Sequence, residues 1–411
     1  MEVKGRYKQT EVGEIPEDWE TGRLKEYFSF ISYGFTNPMP TVANGIFLIT
    51  ATDINNGEIQ YDSSRFTSEF AYRTLLSSKS KPKKNDILLT KDGSLGRLAI
   101  VGDKVICINQ SVAVIRPNHK VVPIFLKFLL ESPTYQKKML DDAGGSTIKH
   151  IYITIVNMMT IALPQNRAEQ TAIATVLSDT DALIQSMEKL ITKKRAIKQG
   201  TMQELLKPKE GWVLKTLGEE TILITKGTTP TSLGKSFTES GISFIKVESL
   251  EKNGNIIPDM LAFIDEDTHR LLKRSQLKEN DLLISIAGAL GRVGIVKKDV
   301  LPSNTNQALA IVRLKEHSEI NLIYVFYYLR TEKICKQIEA ISVQGAQLNL
   351  SLQNIFDLPI EYPNKSEQIR IANILADMDT EIAALETKNA KYKQVKQCTM
   401  QTLLTGRIRL V

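Results

Sequence analysis

The chain has few of the residues from which metal centres, disulfides and membrane spans are built. Its 411 residues include three cysteines and four histidines. These are scattered, with no Cys-x-x-Cys pair and no metal-ligand spacing. No run of about 18 apolar residues occurs, and the amino terminus lacks the apolar core of a secretion signal. We therefore expect a cytoplasmic protein with no metal site, no bound cofactor and reduced, inert thiols.

Recognisable catalytic motifs are also missing. The chain has no Gly-x4-Gly-Lys-Ser/Thr phosphate loop, and Gly93-Ser94-Leu95-Gly96 lacks the third glycine of a dinucleotide fingerprint. Asn37-Pro38-Met39-Pro40 departs from the Asn-Pro-Pro-aromatic signature of adenine methyltransferases, and no Ser, His and Asp arrangement is suggested by spacing. These absences favour a binding protein without catalytic residues over an enzyme.

What the chain does have is an ordinary globular composition with a basic balance. It is 42% hydrophobic and 24% charged, with a formal net charge of +7. A basic excess favours polyanionic partners such as nucleic acid. The length suggests two to four domains.

The most informative feature is an internal duplication. Residues 169–206 and 367–404 align without a gap and are identical at 17 of 38 positions. Each stretch predicts one long helix. In the second, apolar residues recur at alternating spacings of four and three, which is the seam of a coiled coil, and the first repeats that seam. Two such helices could pair into a rod of roughly 57 Å, at about 1.5 Å per residue. The alternative is two separate helices, each packed on its own domain.

The duplication continues into the segments that precede each helix, so the repeat unit is a half-molecule. Glycine and proline fix a bend in one shared loop, and a shared Asn-Gly pair predicts a β-hairpin. Strands are predicted at 99–101, 112–115, 294–296 and 309–312, and amphipathic helices at 123–140 and 319–340. The shared elements, first half then second, are Trp19 and Trp212, residues 34–38 and 227–230, Asn56-Gly57 and Asn253-Gly254, residues 85–97 and 280–292, Asn109-Gln110 and Asn306-Gln307, and Pro164 and Pro363.

Polar and basic residues near these loops are candidates for DNA contact, since Lys and Arg bind phosphates and Arg, Asn, Gln, Ser and Thr read base edges. An ion pair on a solvated face is the structural alternative for Arg97 and Arg292, and polar loops often just face water. The candidates are Thr36, Lys83, Lys84, Ser94, Arg97 and Lys149 in the first half, and Thr229, Lys278, Arg292, Lys297, Gln347 and Asn349 in the second.

In order, and twice over, these motifs resemble the specificity subunit of type I restriction-modification systems, across about residues 7–409. The resemblance implies an α/β (α+β) fold with two tandem, pseudo-symmetric target-recognition domains, at 1–164 and 208–363. It also implies that two long helices, within 165–207 and 364–411, form an antiparallel coiled coil that spaces the domains and docks methyltransferase subunits. The residues expected to pair or dock are Ile173, Leu177, Ile184, Met187, Ile191, Ile371, Leu375, Met378, Ile382 and Leu385.

The same resemblance implies a chain without catalysis or cofactor. S-adenosylmethionine would belong to the partner methyltransferase, and ATP-driven translocation and cleavage to the restriction subunit. The expected partners are double-stranded DNA, two methyltransferase subunits and restriction subunits, with no membrane. Asn37 is inserted in the first glycine loop, and the globular halves share few letters outside the framework. The two domains are therefore expected to read different half-sites. The alternatives are a self-sufficient DNA methyltransferase or nuclease, and a coiled-coil scaffold that does not bind DNA.

Overall fold

The computed structural model describes residues 6–141, 143–144, 149–343 and 349–410. The chain divides into two compact units, Met1–Glu188 with Thr387–Val411, and Lys189–Glu386. The first unit is therefore assembled from two separate pieces of chain. Each of the two long helices has residues in both units.

Among its described residues, the first unit contains a four-stranded sheet, a three-stranded sheet and three two-stranded pairs. A four-stranded antiparallel sheet has the order β10-β9-β12-β4, and a three-stranded sheet has the order β11-β5-β8, while β13 pairs with β3. The strands are β1 (Tyr7–Thr10), β2 (Gly13–Pro16), β3 (Trp19–Arg23), β4 (Phe28–Tyr33), β5 (Ile46–Ile49), β6 (Ile54–Asn55), β7 (Glu58–Ile59), β8 (Arg65–Thr67), β9 (Ile87–Thr90), β10 (Leu98–Ile100), β11 (Ile106–Ile108), β12 (Val112–Pro117) and β13 (Thr160–Pro164); the helices are α1 (Glu69–Leu75), α2 (Pro123–Glu131), α3 (Pro133–Asp141), α4 (Ile153–Met158) and α5 (Arg167–Leu205).

Among its described residues, the second unit repeats the four-stranded sheet, the three-stranded sheet and the β13–β3 pair, without counterparts of the pairs β1–β2 and β6–β7. Its four-stranded sheet has the order β15-β21-β18-β19, its three-stranded sheet β17-β16-β20, and β14 pairs with β22. The strands are β14 (Val213–Thr216), β15 (Thr221–Lys226), β16 (Ile242–Ile245), β17 (Ala262–Ile264), β18 (Leu282–Ser285), β19 (Val293–Ile295), β20 (Ser303–Thr305), β21 (Leu309–Leu314) and β22 (Pro359–Tyr362); the helices are α6 (Glu266–Leu271), α7 (Leu322–Tyr328), α8 (Glu332–Val343), α9 (Leu352–Phe356) and α10 (Lys365–Leu403).

The core of each unit lies between its four-stranded sheet and the helices that follow. In the first unit, Phe125 and Leu129 of α2 pack with Ile87 and Ile115 of the sheet. In the second, Tyr324 and Tyr328 of α7 occupy the same place. Burial of such large apolar side chains is the main favourable contribution to the stability of each unit.

Both sheets also contain a buried carboxylate held by an arginine. Asp86 accepts two hydrogen bonds from Arg116, at 2.8 and 2.7 Å, and Asp281 accepts two from Arg313, at 2.6 and 2.7 Å. The paired carboxylates raise the pKa of both arginines above the ordinary value through these hydrogen bonds. Asn85 and Asn280, just before each aspartate, have φ of 70°. The shared Asn-Asp motif is thus a left-handed turn followed by a buried ion pair.

The predicted hairpin is confirmed in the first unit. Asn56 and Gly57 form the two-residue turn between β6 and β7, with φ of 51° and 76°, which is the backbone of a type I′ turn. The second Asn-Gly pair lies in a longer turn, of five residues, closed by an isolated bridge between Leu250 and Ile256.

The two predicted amphipathic helices are each broken in two. The helix predicted at 123–140 is interrupted at Ser132, because Pro133 has no backbone N–H to continue the ladder, and α3 starts there. The helix predicted at 319–340 is interrupted between Tyr328 and Glu332. The predicted strands are confirmed with bounds shifted by one or two residues.

Contacts between α5 and α10 confirm antiparallel pairing. In the first unit, Lys396 binds Asp181 at 2.5 Å, and Lys393 binds Glu188 at 2.7 Å. In the second unit, Lys198 binds Asp379, Arg195 binds Glu386 and Lys194 binds Glu381, at 2.5 to 2.7 Å. In the first set, and between Arg195–Glu386 and Lys198–Asp379 of the second, residue numbers rise along one helix as they fall along the other. The alternative of two separate helices is wrong.

Most of the predicted seam is buried. Asn389, a polar residue of α10, is 8% exposed, and its Oδ1 has no hydrogen-bond partner among the described residues. Met378 and Leu385 are half-buried, and the buried members are Ile173, Leu177, Ile184, Met187, Ile191, Ile371, Leu375 and Ile382.

Two further properties hold for residues 6–141, 143–144, 149–343 and 349–410. Neither of the long helices, nor any other helix there, is apolar enough over sufficient length to cross a membrane. Within the same part of the chain, no group of three or more His, Cys, Asp or Glu side chains has the arrangement of a metal site.

Candidate nucleic-acid interface

The turn between β9 and β10 is built by its own sequence. Gly93 and Gly96 have φ of 76° and 79°, a region that favours glycine. Thr90 Oγ1 donates to the carbonyl of Ser94 and accepts from the N–H of Arg97 at 2.9 Å. The turn is thus closed by a threonine side chain.

The second unit contains the same turn between β18 and β19. Gly288 and Gly291 have φ of 75° and 74°, and Ser285 Oγ donates to the carbonyl of Ala289 and accepts from the N–H of Arg292 at 2.7 Å. The shared Gly-x-Leu-Gly-Arg motif therefore specifies a turn geometry.

A second loop, with the shared glycine and threonine, lies against a third loop in each unit. In the first, the N–H of Phe35 donates to Ile108 O at 3.1 Å, and that of Gln110 donates to Phe35 O at 2.8 Å. A Cβ on Gly34 would lie 1.8 Å from Ile108 O, so only glycine fits. In the second, Thr228 N–H donates to Thr305 O at 3.2 Å, and a Cβ on Gly227 would lie 1.9 Å from the same oxygen.

Backbone hydrogen bonds join the remaining loops to the turn in the first unit. Lys91 N–H donates to Ser111 O at 2.9 Å, and Ile151 N–H donates to Lys91 O at 3.0 Å. We call residues 34–36, 91–96, 109–111 and 149–150 the first loop cluster.

The second unit has the same connections. Ile286 N–H donates to Ala308 O at 2.9 Å, and Leu350 N–H donates to Ile286 O at 2.9 Å. We call residues 227–229, 286–291, 306–308 and 349–350 the second loop cluster. In each unit, four loops distant in sequence meet in one place.

The structure brings some predicted residues into these clusters. In the first, Thr36 and Lys149 are exposed and Ser94 is half-buried. In the second, Asn349 is exposed, and Thr229 is half-buried with its hydroxyl bonded to Gln307. Gln347 lies outside the described residues.

Four predicted lysines lie elsewhere. Lys83 and Lys84 precede β9, at the strand end opposite the turn, and Lys84 pairs with Asp103 at 2.6 Å. Lys278 and Lys297 lie at the equivalent end of the β18–β19 pair, where Val296 N–H donates to Asp281 O. All four are exposed, but they are separated from the loop clusters by the length of a strand.

The two predicted arginines bind backbone carbonyls of their own units. Arg97 donates to Ile54 O at 3.2 Å, and Arg292 donates to Leu250 O at 2.7 Å and to Val247 O at 3.3 Å. Each arginine thereby ties the strand after its turn to the segment that carries the Asn-Gly turn. No carboxylate pairs with them among the described residues.

Sequence reasoning missed several cluster residues. Arg274 is exposed and donates to Thr228 Oγ1 at 3.1 Å, which places a guanidinium at the second cluster. Gln110 and Gln307 are exposed at equivalent positions. Lys91, Asp92 and His150 form a charged group in the first cluster. The duplication marked the two glutamines, but nothing in the sequence linked Arg274 to a loop 46 positions away.

The long helices carry a second candidate surface. Val176, Leu183, Leu190 and Ile197 of α5 are 37% to 45% exposed and recur at every seventh position, one row beside the buried seam. The aligned residues of α10 are Ile374, Glu381, Lys388 and Val395, so the row is more apolar on α5. Exposed apolar rows of this kind mark interaction surfaces.

Comparison with known proteins gives a consistent result. The sequence model of the family described as the type I restriction modification DNA specificity domain matches residues 16–194 and again 209–396. The type I restriction enzyme MjaVIII specificity subunit of Methanocaldococcus jannaschii is 24% identical, over 96% of this chain and 94% of its own length. The MjaIX specificity subunit of the same organism is 25% identical, over 98% and 96%.

Two solved structures have a similar fold. One, titled as a study of complex assembly and conformational transition of the type I R-M system, has a TM-score of 0.60 and 17% identity, and the match covers 96% of this chain and 99% of that chain. The other, an S subunit from M. genitalium, has a TM-score of 0.59 and 16% identity, covering 94% and 96%.

Proposed function

Because this chain belongs to the type I restriction-modification DNA specificity family, we propose that it reads an asymmetric, two-part sequence in double-stranded DNA, one part with each loop cluster. The chain is a specificity subunit with two DNA-recognition domains. The proposal concerns three further points: which half-site each cluster reads, which partners the chain binds, and the asymmetric, two-part form of the target.

The observation that carries it is one framework with two different sets of side chains. Both clusters use equivalent glycines, the same strand order and equivalent backbone hydrogen bonds from the turn to two other loops. Their accessible residues differ: the first presents the exposed Thr36 and Lys149 and the partly exposed His150, and the second presents the exposed Arg274 and Asn349. A shared framework with unlike donors and acceptors suits two readers of unlike base sequences.

The long helices suit the docking of methyltransferase subunits. Ion pairs such as Lys198–Asp379 and Lys396–Asp181 hold α5 to α10 within each unit, which leaves the apolar row from Val176 to Ile197 exposed. Apolar side chains of a partner helix, at the a and d positions of its heptad repeat, would bury that row. We place two methyltransferase subunits here, and restriction subunits are recruited to the complex they form.

Chemistry in this proposal belongs to the partners. The chain supplies sequence choice, while the methyltransferase subunits bind S-adenosylmethionine and methylate adenine, and the restriction subunits use ATP to translocate and cleave DNA. A cytoplasmic location follows, since the DNA target is there.

A domain exchange tests the proposal. Residues 1–164 are replaced by the matching half of a relative, and the chimaera is produced with the methyltransferase subunits. Sequencing of methylated adenines in the host genome should show that one half-site has changed and the other has not. A change in both half-sites, or in neither, contradicts reading by separate units. The reciprocal exchange of residues 208–363 is the matched control, and it should change only the other half-site.

Salt dependence separates this proposal from a scaffold that does not bind DNA. Binding through phosphate contacts weakens steeply as salt rises, because condensed counterions are released on binding. We expect the complex with methyltransferase subunits to bind its target with such a dependence. A complex that shows no sequence-selective, salt-sensitive binding would support the scaffold.

A further inference from the structure

The first loop cluster contains a charged group that ordinary loop packing does not require. Asp92 Oδ1 lies 2.6 Å from His150 Nδ1, and Asp92 Oδ2 lies 2.8 Å from Lys91 Nζ. The backbones of Asp92 and His150 also pair as an isolated bridge. The turn after β9 and the loop before α4 are thus joined by both backbone and charge.

The contacts assign different roles to the three side chains. A carboxylate only accepts, so His150 Nδ1 carries a proton and donates it to Asp92. Both carboxylate oxygens of Asp92 already accept hydrogen bonds, so this side chain is poorly placed to accept one from a DNA base. Lys91 has 17% of its side chain exposed and lies over the ring of Tyr33, with Nζ 5.5 Å from the centroid. His150 is the most accessible of the three, at 38%, and the same residue's Nε2 is bonded by no other described residue.

The second loop cluster has no equivalent group. The residues at the positions of Lys91 and Asp92 are Ile286 and Ala287, and Ala287 forms its backbone bridge with Asn349. No side chain among these three can change charge. The equivalent position is neutral in the second unit and ionic in the first.

We propose that His150 is a DNA contact of the first unit that takes up a proton when DNA binds, with Asp92 as its positioning residue. This deepens the proposed function and rests on it. A neutral Nδ1–H imidazole presents Nε2 as an acceptor, while an imidazolium presents it as a donor. A phosphate oxygen or a guanine edge offers acceptors, and the negative potential of DNA favours a charged imidazole at the contact.

The sign of the pH effect follows from linkage. If the complex with DNA binds one more proton than its free components, affinity is highest at low pH and falls as the pH rises through the range in which histidines ordinarily titrate, near pH 6.5. Of the other charged or titratable groups, Asp92 contacts His150 directly, Lys91 binds the same carboxylate and lies over Tyr33 of β4, and Lys149 and Tyr152 are within two positions of His150 in sequence. Lysine, tyrosine and aspartate ordinarily titrate well outside pH 6 to 8.

The experiment uses the complex with methyltransferase subunits and the DNA sequence that this complex methylates. It measures the dissociation constant between pH 6 and pH 8 at constant salt. We expect affinity to fall by about tenfold or more across this range; a single coupled proton gives at most one decade per pH unit, so the limit over two units is about a hundredfold. His150→Gln should remove most of that dependence. Asp92→Asn, which keeps an acceptor oxygen but not the charge, should reduce it.

The matched control is His269→Gln in the second unit, where the imidazole Nδ1 faces the uncharged amide of Asn304 at 2.5 Å. This variant should show the same pH dependence of the dissociation constant as the unaltered protein. Thermal unfolding checks that each variant is folded. The proposal is overturned if His150→Gln keeps the full pH dependence, or if it weakens binding equally at every pH, as a purely structural role would. Absence of sequence-selective binding by the unaltered protein at any pH would instead overturn the proposed function.

Discussion

At the scale of single residues, one glutamine in the first turn of each long helix connects that helix to the unit in which it starts. Gln170 Oε1 accepts from Val122 N–H at 2.8 Å, and its Nε2 donates to Pro164 O at 2.8 Å and to Lys120 O at 3.3 Å. Gln368 makes the same three kinds of bond with Asn321 N–H, Pro363 O and Glu319 O. Both side chains are at most 1% exposed. Each glutamine holds the first turn of a long helix against the loop that precedes a core helix, which is α2 in the first unit and α7 in the second.

Replacing one of these glutamines should destabilise its own unit. Gln170→Leu removes the partner of the buried Pro164 carbonyl and of the partly buried Val122 N–H and Lys120 carbonyl, so the free energy of unfolding of the first unit should fall by about 2–4 kcal/mol. Gln368→Leu should do the same to the second unit. Calorimetry of both variants measures the effect. Gln199→Leu, at an exposed position of α5, is the control and should change the free energy of unfolding by less than about 0.5 kcal/mol.

The sequence identified these glutamines as repeated letters but could not show their role. The partners of Gln170 lie up to 50 positions away, in loops without a regular pattern. The neighbouring glutamate shows the limit more sharply. Glu169 is 1% exposed and binds Arg409, while the aligned Glu367 is only half-buried and binds Arg370 on its own helix. Identical letters therefore occupy different environments, because only the first unit receives the end of the chain.

At the scale of elements, the paired helices repeat their ion pairs as reciprocal sets. Lys198 and Asp379 occupy the positions that align with Lys396 and Asp181, and both pairs have N–O distances of 2.5 Å. Arg195–Glu386 and Lys393–Glu188 correspond in the same way. Reciprocal pairs of this kind are what a symmetric contact between two copies of one helix would produce. The duplicated sequence therefore preserves a self-complementary helix surface.

Reversal of one charge should weaken the pair of helices, and a second reversal should restore it. Burial lowers the pKa of Lys198, against the opposing effect of its hydrogen bond to Asp379, and Tyr327 also donates to that carboxylate at 2.7 Å. Lys198→Glu puts two carboxylates together and should lower the free energy of unfolding of the second unit by about 2–3 kcal/mol.

The double variant Lys198→Glu with Asp379→Lys should recover at least half of that loss, measured by denaturant unfolding. Lys193→Glu, on the exposed side of α5, is the matched control for a change of charge without a buried partner. If the double variant is as unstable as the single one, the pair contributes through packing and not through charge.

The helical pair could be predicted from sequence because its pattern is periodic and repeated. A seam of apolar residues over many turns specifies both a helix and a partner. The predicted helices at 123–140 and 319–340 were wrong in continuity, since a periodic pattern does not register the loss of one hydrogen bond at Pro133. The loops of each cluster were recognised one by one. Their convergence could not be predicted, because Asp92 and His150 meet across 58 positions of chain.

At the scale of the whole molecule, the division into units crosses both long helices. It falls between Glu188 and Lys189 in α5, and between Glu386 and Thr387 in α10. Each unit thus contains the start of one long helix, the end of the other, and ion pairs that join them. In the proposed function, continuity of these two helices couples the two loop clusters. Continuity would then set the number of base pairs allowed between half-sites.

Flexible insertions at the division test this coupling. Three glycines after Lys189 and three after Glu386 leave the ion pairs Lys396–Asp181 and Lys198–Asp379 within their units but interrupt both helices, because glycine disfavours helix by about 1 kcal/mol per residue. The unaltered protein should methylate one gap length and lose most activity when a single base pair is added or removed, since each base pair shifts a half-site by roughly 3.4 Å and also rotates it.

The glycine variant should bind its target more weakly and accept several gap lengths at similar rates, because a flexible link lowers the effective concentration of the second reader and removes its fixed phase. Methylation rates on a series of duplexes with stepped gaps measure both effects. Inserting three alanines at the same two positions is the control: helices continue, so tolerance should stay narrow. If the glycine variant keeps a single sharp optimum at the original gap, the spacing of half-sites is not set by these helices, and the partner subunits must hold the two readers in place.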